Sequence, residues 1–442
     1  MREPSPVSFL AALRFWLKLG FVSFGGPAGQ IALMHRELVE RRCWISERRF
    51  LHALNYCMVL PGPEAQQLAT YLGWLMHRTW GGIAAGALFV LPSLIILIAL
   101  SWVYVAWGQL PLIAALFYGI KPAVTALVIH AAWRMGRRTL NNPLLAGIAL
   151  AAFVAVFGLA LPFPLIILAA ALIGWLAGQW RPGWFVAGAA HAARAGDGAP
   201  ALIGDTTPPP AHARFSWPRL AAVLAVGLAL WAAPMLALLG FFGWSHTLTQ
   251  MAWFFSKAAL LTFGGAYAVL PYVWQGAVEH YGWLQPAQMM DGLALGETTP
   301  GPLIMVVAYV GFVGAWGQAL FGPDRLFLAG ALAALVVTWF TFLPSFVFIF
   351  AGGPLVESTH GELRFTAPLT AITAALVGVI VNLALFFAAH VLWPQDAAAD
   401  IDWRAALIAT LAAVALISGR VGAIAVIGLS ALAGLGFSLV SG

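Results

Sequence analysis

Residues 15–26 read FWLKLGFVSFGG, and residues 254–265 read FFSKAALLTFGG. The two stretches share a Phe, a Lys and a closing Phe-Gly-Gly in one register, 239 residues apart. Rare residue types that recur in fixed register over about 50 positions indicate an internal repeat. The same spacing relates Glu40 to Glu279, Trp44 to Trp283 and Pro61-Gly62-Pro63 to Pro300-Gly301-Pro302. Further on, the spacing grows to 252, which predicts a 13-residue insertion in the second half, because Leu91-Pro92-Ser93 recurs as Leu343-Pro344-Ser345.

The composition is that of a membrane protein. Of the 442 residues, 62% are hydrophobic and only 9% are charged, whereas a soluble domain carries about 25% charged residues. The mean hydropathy of +0.89 and the 20 Trp residues are typical of a polytopic membrane protein with an aromatic belt. This composition excludes a soluble enzyme, a disordered protein and a coiled coil.

The charge and the cysteines argue against several partners. The net charge of +6 comes from arginines in short loops between apolar spans, which fits the positive-inside bias rather than nucleic-acid binding. Cys43 and Cys57 have neither disulfide nor metal-ligand spacing, so we expect no metal and no cofactor. The first apolar stretch contains Arg14 and Lys18 and lacks a small-residue cleavage site, so we expect it to be retained.

Apolar stretches long enough to cross or enter a bilayer follow one another along the chain. We predict about 13 membrane segments, at 9–24, 50–77, 80–107, 110–133, 143–158, 162–180, 217–240, 246–265, 289–321, 326–350, 365–391, 403–418 and 420–440. We therefore expect a first repeat over 1–180, a flexible cytoplasmic linker over 181–216, a connecting transmembrane helix over 217–240 and a second repeat over 241–442. The linker is rich in Ala, Gly and Pro.

Loop charge predicts that the two repeats are inverted. Loop 36–49 contains five arginines, and its repeat partner, 275–288, contains no Lys or Arg. If arginine marks the cytoplasm, these equivalent loops lie on opposite sides of the membrane. We expect segments 9–42 and 50–77 and their partners to enter and return as hairpins that turn at the Gly-Gly and Pro-Gly-Pro motifs. The N-terminus and linker are then cytoplasmic and the C-terminus is outside.

The chain has three lysines, Lys18, Lys121 and Lys257, and all lie inside apolar segments. An ammonium at the bilayer centre costs about 2.5–3.5 kcal/mol. Because Lys18 and Lys257 are repeat-related, we predict that they share a midplane site for an anion, with Arg14 one helical turn from Lys18. Lys121 is a secondary candidate. The alternative is that these side chains snorkel to the membrane interface.

The motifs beside the lysines favour discontinuous helices. Glycine pairs permit sharp turns, so Gly25-Gly26 and Gly264-Gly265 are predicted to present helix N–H groups to an anion; helix capping or tight packing is the alternative. The two Pro-Gly-Pro motifs break any helix, and inverted-repeat transporters build substrate sites from broken helices. Glu64 and Glu297 lie beside these breaks and are candidates for proton or ion coupling, or for structural salt bridges.

These residues carry a family resemblance. Phe24-Gly25-Gly26-Pro27, Trp44, the two Pro-Gly-Pro motifs, Phe263-Gly264-Gly265 and Gly296-Glu297-Thr298-Thr299 resemble the chromate ion transporter (CHR) family in its long form with two homologous domains. The resemblance implies an all-α protein of the cytoplasmic membrane that exports chromate and confers chromate resistance. It implies that the membrane potential or the proton gradient drives export, and that sulfate, also a tetrahedral dianion, competes or is exchanged.

Two other functions stay open from the sequence. One is a sulfate or other oxyanion permease that works inward. The other is a membrane-embedded enzyme or scaffold that uses His52 or His130. The repeat favours a transporter, because alternating access explains duplicated inverted sites and catalysis does not. The expected partners are chromate, sulfate and the lipid bilayer; a homo-oligomer is left open.

Overall fold

The computed structural model describes residues 7–24, 26–159, 161–181, 184, 201–205, 207–208, 210–263, 265–358, 366–393 and 401–441. Within these ranges the chain forms sixteen α-helices, and the only β-pairing is a single bridge between Ile45 and Ile203. The all-α prediction is therefore confirmed.

The helices fall into two series. The first contains α1 (Phe9–Val22), α2 (Gly26–His35), α3 (Glu47–Val59), α4 (Glu64–Trp107), α5 (Pro111–Thr139), α6 (Pro143–Phe157) and α7 (Phe163–Trp180). After α8 (Trp217–Phe242), the second contains α9 (Thr247–Leu261), α10 (Ala266–Trp274), α11 (Pro286–Thr298), α12 (Val306–Gly317), α13 (Leu326–Ser358), α14 (Thr366–Leu392), α15 (Trp403–Ile417) and α16 (Ala423–Ser441). Both helix breaks fall where the Pro-Gly-Pro motifs predict them.

Six helices in the described ranges are long and apolar enough to cross a membrane. Four more apolar helices have 10–17 residues. These helices make the chain a multi-pass membrane protein, although the predicted number of 13 segments is not reached by helices of full spanning length.

Helix α4 is a helical hairpin rather than one rod. Its backbone leaves the helical conformation at His77 and Arg78. A Cβ built on Gly73 would lie 2.4 Å from the carbonyl oxygen of Gly81, so the two arms run back along each other at glycine-to-glycine contact. The N-terminal arm (64–76) and the C-terminal arm (79–107) are thus separate elements. Their division agrees with the predicted boundary between the membrane segments 50–77 and 80–107.

The internal repeat extends to fine details of the backbone. Arg36–Arg41 and Gln275–His280, which are 239 residues apart, both form π-helical turns. The residues that follow them at equivalent positions, Cys43 and Gly282, both have positive φ, of 50° and 60°. The ring pair Phe15–Trp44 at 5.3 Å recurs as Phe254–Trp283 at 5.6 Å. The two series are therefore structural copies of one unit.

Both Pro-Gly-Pro segments return on themselves, as predicted. In the first repeat, the rings of Tyr56 in α3 and Tyr71 in α4 lie 5.9 Å apart on the two sides of the break. In the second, Gly292 in α11 packs directly against the ring of Tyr309 in α12. Each break is the tip of a helical hairpin.

The repeats exchange their last two helices. Helices α6 and α7 of the first repeat pack on α14 of the second, and α15 and α16 of the second pack on α5 of the first. Reciprocal contacts of this kind define a two-fold relation between the copies. Helix α8 has no counterpart in the first repeat. If the C-terminal arm of α4 and the helices α5 to α8 each cross the membrane, five crossings separate equivalent elements, and an odd number inverts the second copy.

Part of the predicted linker lies against the first repeat. The Leu202 and Ile203 N–H groups donate to the carbonyls of Cys43 and Trp44, each at 3.0 Å, and the Ser46 N–H donates to the Ile203 carbonyl at 3.0 Å. Residues 182–183, 185–200, 206 and 209 of the linker lie outside the described residues. The C-terminal part of the linker thus covers the arginine-rich loop.

The inverted arrangement can be tested at two matched positions. The native Cys43 thiol is half-buried in loop 36–49, and Gly282 is its exposed counterpart, with nothing within 4 Å of an added Cβ. We expect an impermeant maleimide to label Cys43 from the cytoplasmic side only, and the cysteine of Gly282→Cys in a Cys43→Ser background from the external side only. Labelling of both positions from the same side would contradict inversion.

Candidate functional site

The two broken hairpins cross at the centre of the protein. The Gly62 N–H of the first repeat donates to the carbonyl of Thr262 in the second, at 2.6 Å. The Gly301 N–H of the second repeat donates to the carbonyl of Ser23 in the first, at 2.8 Å. These bonds are repeat-equivalent, since both pairs of positions are 239 apart. Each Pro-Gly-Pro tip therefore docks on the residue that ends the glycine-turn helix of the opposite repeat.

Only glycine fits at these two tips. Gly62 has φ of +129° and Gly301 has φ of +95°, a region that L side chains rarely adopt. A Cβ added to Gly62 would lie 2.5 Å from the Ser345 Oγ, and one added to Gly301 would lie 2.8 Å from the Ser93 Cβ. Ser93 and Ser345 are the repeated serines of Leu-Pro-Ser, so each tip packs on the opposite repeat's Pro-containing helix.

Two helix N-termini lie next to the crossing. Helix α2 begins at Gly26, with φ of +70°, and α10 is capped by Gly265, with φ of +98°. Gly26 and Gly265 each lie three residues after a residue whose carbonyl joins the crossing, Ser23 and Thr262. The first N–H groups of a helix have no partner inside the helix and attract anions. Gly25 and Gly264 lie outside the described residues, and the role of the glycine turns as anion seats stays a prediction.

A group of buried polar side chains surrounds the two tips, which we call the central polar cluster: Ser23, Gln30, Gln66, Gln67 and Ser93. The Gln30 Nε2 donates to the Gly301 carbonyl at 2.6 Å, and the Gln67 Nε2 donates to the Pro61 carbonyl at 2.8 Å. One side-chain oxygen of each of the five has no hydrogen-bond partner among the described residues. Buried polar groups are ordinarily satisfied, so this cluster is suited to hold a polar ligand.

The two candidate carboxylates occupy different surroundings. Glu297, at the end of α11, accepts a hydrogen bond from the Tyr267 hydroxyl, and the Arg134 guanidinium lies close enough to attract its negative charge. Glu64 opens α4 at the other tip, and within the described ranges it has no hydrogen-bond or ion-pair partner. They are not repeat-equivalent, because Leu303 occupies the position that corresponds to Glu64.

The lysines and Arg14 lie apart from the central polar cluster. The side chains of Arg14 and Lys18 are on the exposed face of α1, and Lys257 is half-buried with its ammonium 5.6 Å from the Trp253 ring centre. Among the described residues, no hydrogen bond, ion pair or ring contact joins Lys18 to Lys257. A shared anion site for these two lysines stays a prediction.

Lys121 is different, because its ammonium lies 3.6 Å from the carboxylate of Asp291 on α11. Asp291 was not a candidate from the sequence, and neither were Glu357 of α13 and the cluster residues Ser23, Gln30 and Ser93. The repeated Leu-Pro-Ser motif was the available signal for Ser93 and Ser345. Asp291 could have been found as a buried acid in an apolar segment, but its partner is 170 residues away.

The two histidines of the enzyme alternative are not grouped with further catalytic residues. The His52 Nε2 lies 3.3 Å from the carbonyl of Val356, and His130 packs beside Trp133. The described part of the chain contains no group of three His, Cys, Asp or Glu side chains that could hold a metal ion.

Comparison with known proteins identifies related chains. The family described as Chromate transporter matches residues 10–175 and 249–435, one region in each repeat. A chromate transport protein of Pseudomonas aeruginosa is 33% identical over 386 residues, which cover 85% of this chain and 80% of the relative. One of Cupriavidus metallidurans is 29% identical over 382 residues, with 85% and 81% covered. An uncharacterised transporter of Methanocaldococcus jannaschii is 24% identical over 400 residues, with 90% and 89% covered. No solved structure matches the chain at a significant level.

The need for glycine at the tips predicts the effect of single methyl groups. Gly62→Ala and Gly301→Ala should each lower the thermal unfolding temperature of the purified protein, because the new Cβ meets the opposite repeat at 2.5 Å and 2.8 Å. Gly322→Ala is the matched control, since Gly322 has φ of +84° and nothing within 4 Å, so it carries only the conformational cost of about 1 kcal/mol. Equal shifts for all three variants would contradict the close docking of the tips.

Proposed function

The chain belongs to the chromate transporter family, and from this we propose that it is a secondary active transporter that exports chromate across the cytoplasmic membrane and so confers chromate resistance. The proposed orientation places the N-terminus and the arginine-rich loop in the cytoplasm and the C-terminus outside, as the loop charges favour.

The observation that carries the proposal is the reciprocal crossing of the two Pro-Gly-Pro tips. Non-helical backbone at membrane depth is tolerated where it is buried in protein or lines a polar path. Two inverted copies that meet there present the same elements toward opposite sides of the membrane, which is the arrangement that alternating access uses. An exporter needs one site that faces each side in turn.

The central polar cluster has the chemistry to receive a tetrahedral dianion. The hydroxyls of Ser23 and Ser93 have no hydrogen-bond partner among the described residues, and they can donate to oxyanion oxygens. The first N–H groups of α2 and α10 add further donors and the positive ends of two helix dipoles. Donors of this kind select for charge and tetrahedral shape, so sulfate is expected to compete with chromate.

Glu64 and Glu297 are the proposed coupling residues. Each lies beside a tip, in a segment where an isolated carboxylate is costly and is by default a functional candidate. A proton that binds to either group would change the charge next to the dianion site. This links substrate affinity to the proton gradient without a further cofactor.

Lys18 and Lys257 are proposed to act from outside the central site. Lys18 on α1 and Lys257 on α9 each carry a positive charge that can attract an anion without bonding to it.

Transport in everted membrane vesicles tests the function. We expect chromate to accumulate in energised everted vesicles that contain the protein, excess sulfate to reduce the uptake, and an uncoupler to abolish it. Uptake that an uncoupler leaves unchanged would contradict secondary active transport. Sulfate uptake in right-side-out vesicles without chromate transport would instead identify an inward sulfate permease.

The same assay assigns the residues. Glu64→Gln or Glu297→Gln should flatten the pH dependence of uptake, because an amide cannot take up the proton.

Ser93→Ala should raise the chromate concentration for half-maximal uptake by about tenfold, the loss of roughly one charge-assisted hydrogen bond. Lys18→Met and Lys257→Met should each raise that concentration less. If both lysine variants abolish binding while Ser93→Ala does not, the dianion is held by the lysines; wild-type pH profiles in both Gln variants would exclude these carboxylates from coupling.

A further inference from the structure

Away from the central crossing, a buried carboxylate on α13 joins the two repeats. Glu357 of the second repeat accepts a hydrogen bond from the Tyr71 hydroxyl at 2.5 Å and another from the Arg49 Nη1 at 3.1 Å, and both partners belong to the first repeat. The Glu357 side chain is 7% exposed. Arg49 also donates to the carbonyl of Thr207 in the linker. Both carboxylate oxygens of Glu357 are thus satisfied from the opposite repeat.

A second buried carboxylate joins the repeats in the same way. Asp291 on α11 of the second repeat accepts a hydrogen bond from the Tyr104 hydroxyl at 2.9 Å, and the Lys121 ammonium lies 3.6 Å away. Tyr104 and Lys121 belong to the first repeat. The Asp291 side chain is 4% exposed, and its Oδ1 is buried without a partner among the described residues. Each cluster therefore combines one acid of the second repeat with one cation and one tyrosine of the first.

The two clusters occupy repeat-related places on the interface. At the Glu357 cluster, His52 contacts the carbonyl of Val356, the residue before Glu357. The position equivalent to His52 in the second repeat is Asp291, at the spacing of 239, and the position equivalent to Val356 in the first repeat is Tyr104, at the spacing of 252. The two-fold relation between the repeats therefore places the clusters symmetrically on either side of the central crossing. In inverted repeats, these two places face opposite sides of the membrane.

Inter-repeat contacts line the interface between each cluster and the crossing, and we call each such stretch a seam. Along α3 and α13, the Tyr56 hydroxyl donates to the Phe348 carbonyl at 2.8 Å, between the Glu357 cluster and the contact of Gly62 with Ser345. Along α11 and the C-terminal arm of α4, the contact of Gly301 with Ser93 follows the Asp291 cluster. A path to the crossing along these contacts would open one of the two seams.

The two clusters differ in how completely they are satisfied. At Glu357 both oxygens have partners, and the cation is within hydrogen-bond distance. At Asp291 the Oδ1 has no partner within the described part of the chain, and the Lys121 ammonium lies beyond hydrogen-bond distance. A buried carboxylate that loses its cation is strongly destabilised unless water reaches it. Separation of either seam therefore requires water to enter that end, and the Glu357 end is the more firmly closed in this structure.

We propose that Glu357 with Arg49 and Tyr71, and Asp291 with Lys121 and Tyr104, are two inter-repeat latches, one at each end of the interface, that open alternately. That the two latches open alternately rests on the proposed transport function. That each carboxylate closes its own end of the interface is independent of that function. Opening one latch exposes its own seam down to the crossing and leaves the other seam closed.

Two matched serines report on the seams. Ser345 lies between Glu357 and the first tip, and Ser93 lies between Asp291 and the second tip; both are buried. In a chain with Cys43→Ser and Cys57→Ala, Ser345→Cys and Ser93→Cys each provide one reporter thiol. The labelling rate with a membrane-permeant maleimide, without substrate, measures opening independently of the orientation in the membrane. Gln and Asn are matched in size to the acids that they replace.

We expect Glu357→Gln to raise the labelling rate at position 345 at least tenfold and that at position 93 less than twofold, and Asp291→Asn to show the reverse pattern. Unchanged rates would overturn the proposal. Equal increases at both reporters would also overturn it, because they indicate general loosening.

A second set of variants tests whether acid and cation act as a pair. Arg49→Gln should raise the rate at position 345 as Glu357→Gln does, and the double variant should be no faster than either single one. Rate increases that multiply in the double variant would overturn the pairing. Chromate transport is measured separately, in the chain with its native Ser93 and Ser345. The selective labelling pattern together with no transport by that chain contradicts the proposed function alone, whereas transport by that chain without the selective pattern contradicts the latches alone.

Discussion

The rest of the structure depends on one constraint, the need of every backbone polar group inside the membrane for a partner. The two Pro-Gly-Pro breaks leave backbone N–H groups that no helix can satisfy. In this protein the Gly62 N–H finds the Thr262 carbonyl, and the Gly301 N–H finds the Ser23 carbonyl, always in the opposite repeat. Neither repeat completes its own broken hairpin. The two copies are therefore one unit, and the shared core follows from that dependence.

The helical scaffold follows the two-fold relation between the repeats, whereas several charged side chains do not. The exchange of α6 and α7 for α15 and α16 extends the central dependence to the periphery, where glycines permit close approach, as between Gly119 and the Ser430 carbonyl. The groups with distinctive chemistry break the symmetry: Glu64, Glu297 and Lys121 have no chemical counterparts in the other repeat. The symmetric scaffold thus carries an asymmetric set of charges.

The sequence predicted the scaffold better than the site. Prolines and glycines act through the local backbone, so the breaks at 61–63 and 300–302 and the hairpins at these breaks could be read directly. The exposure of Lys18 could not be predicted from the sequence. Helix α1 carries apolar residues on every face, so periodicity does not say which face packs against the protein. The partners of Gly62, Asp291 and Glu357 were also out of reach, since each contact joins residues 170 or more positions apart and depends on how the repeats dock.

Thiol cross-linking between the repeats tests the central claim most directly. The Gln67 Nε2 lies 3.4 Å from the Ser345 Oγ across the first tip. In a chain without native cysteines and with a protease site inserted within 185–200, Gln67→Cys and Ser345→Cys should be joined by mild oxidation, so that the two halves stay together after cleavage until they are reduced. Gln67→Cys with Thr338→Cys, about 10 Å further along α13, is the matched control and should not be joined. Halves that separate without reduction in the first pair, or cross-link equally in both pairs, would contradict the docking of each tip on the opposite repeat.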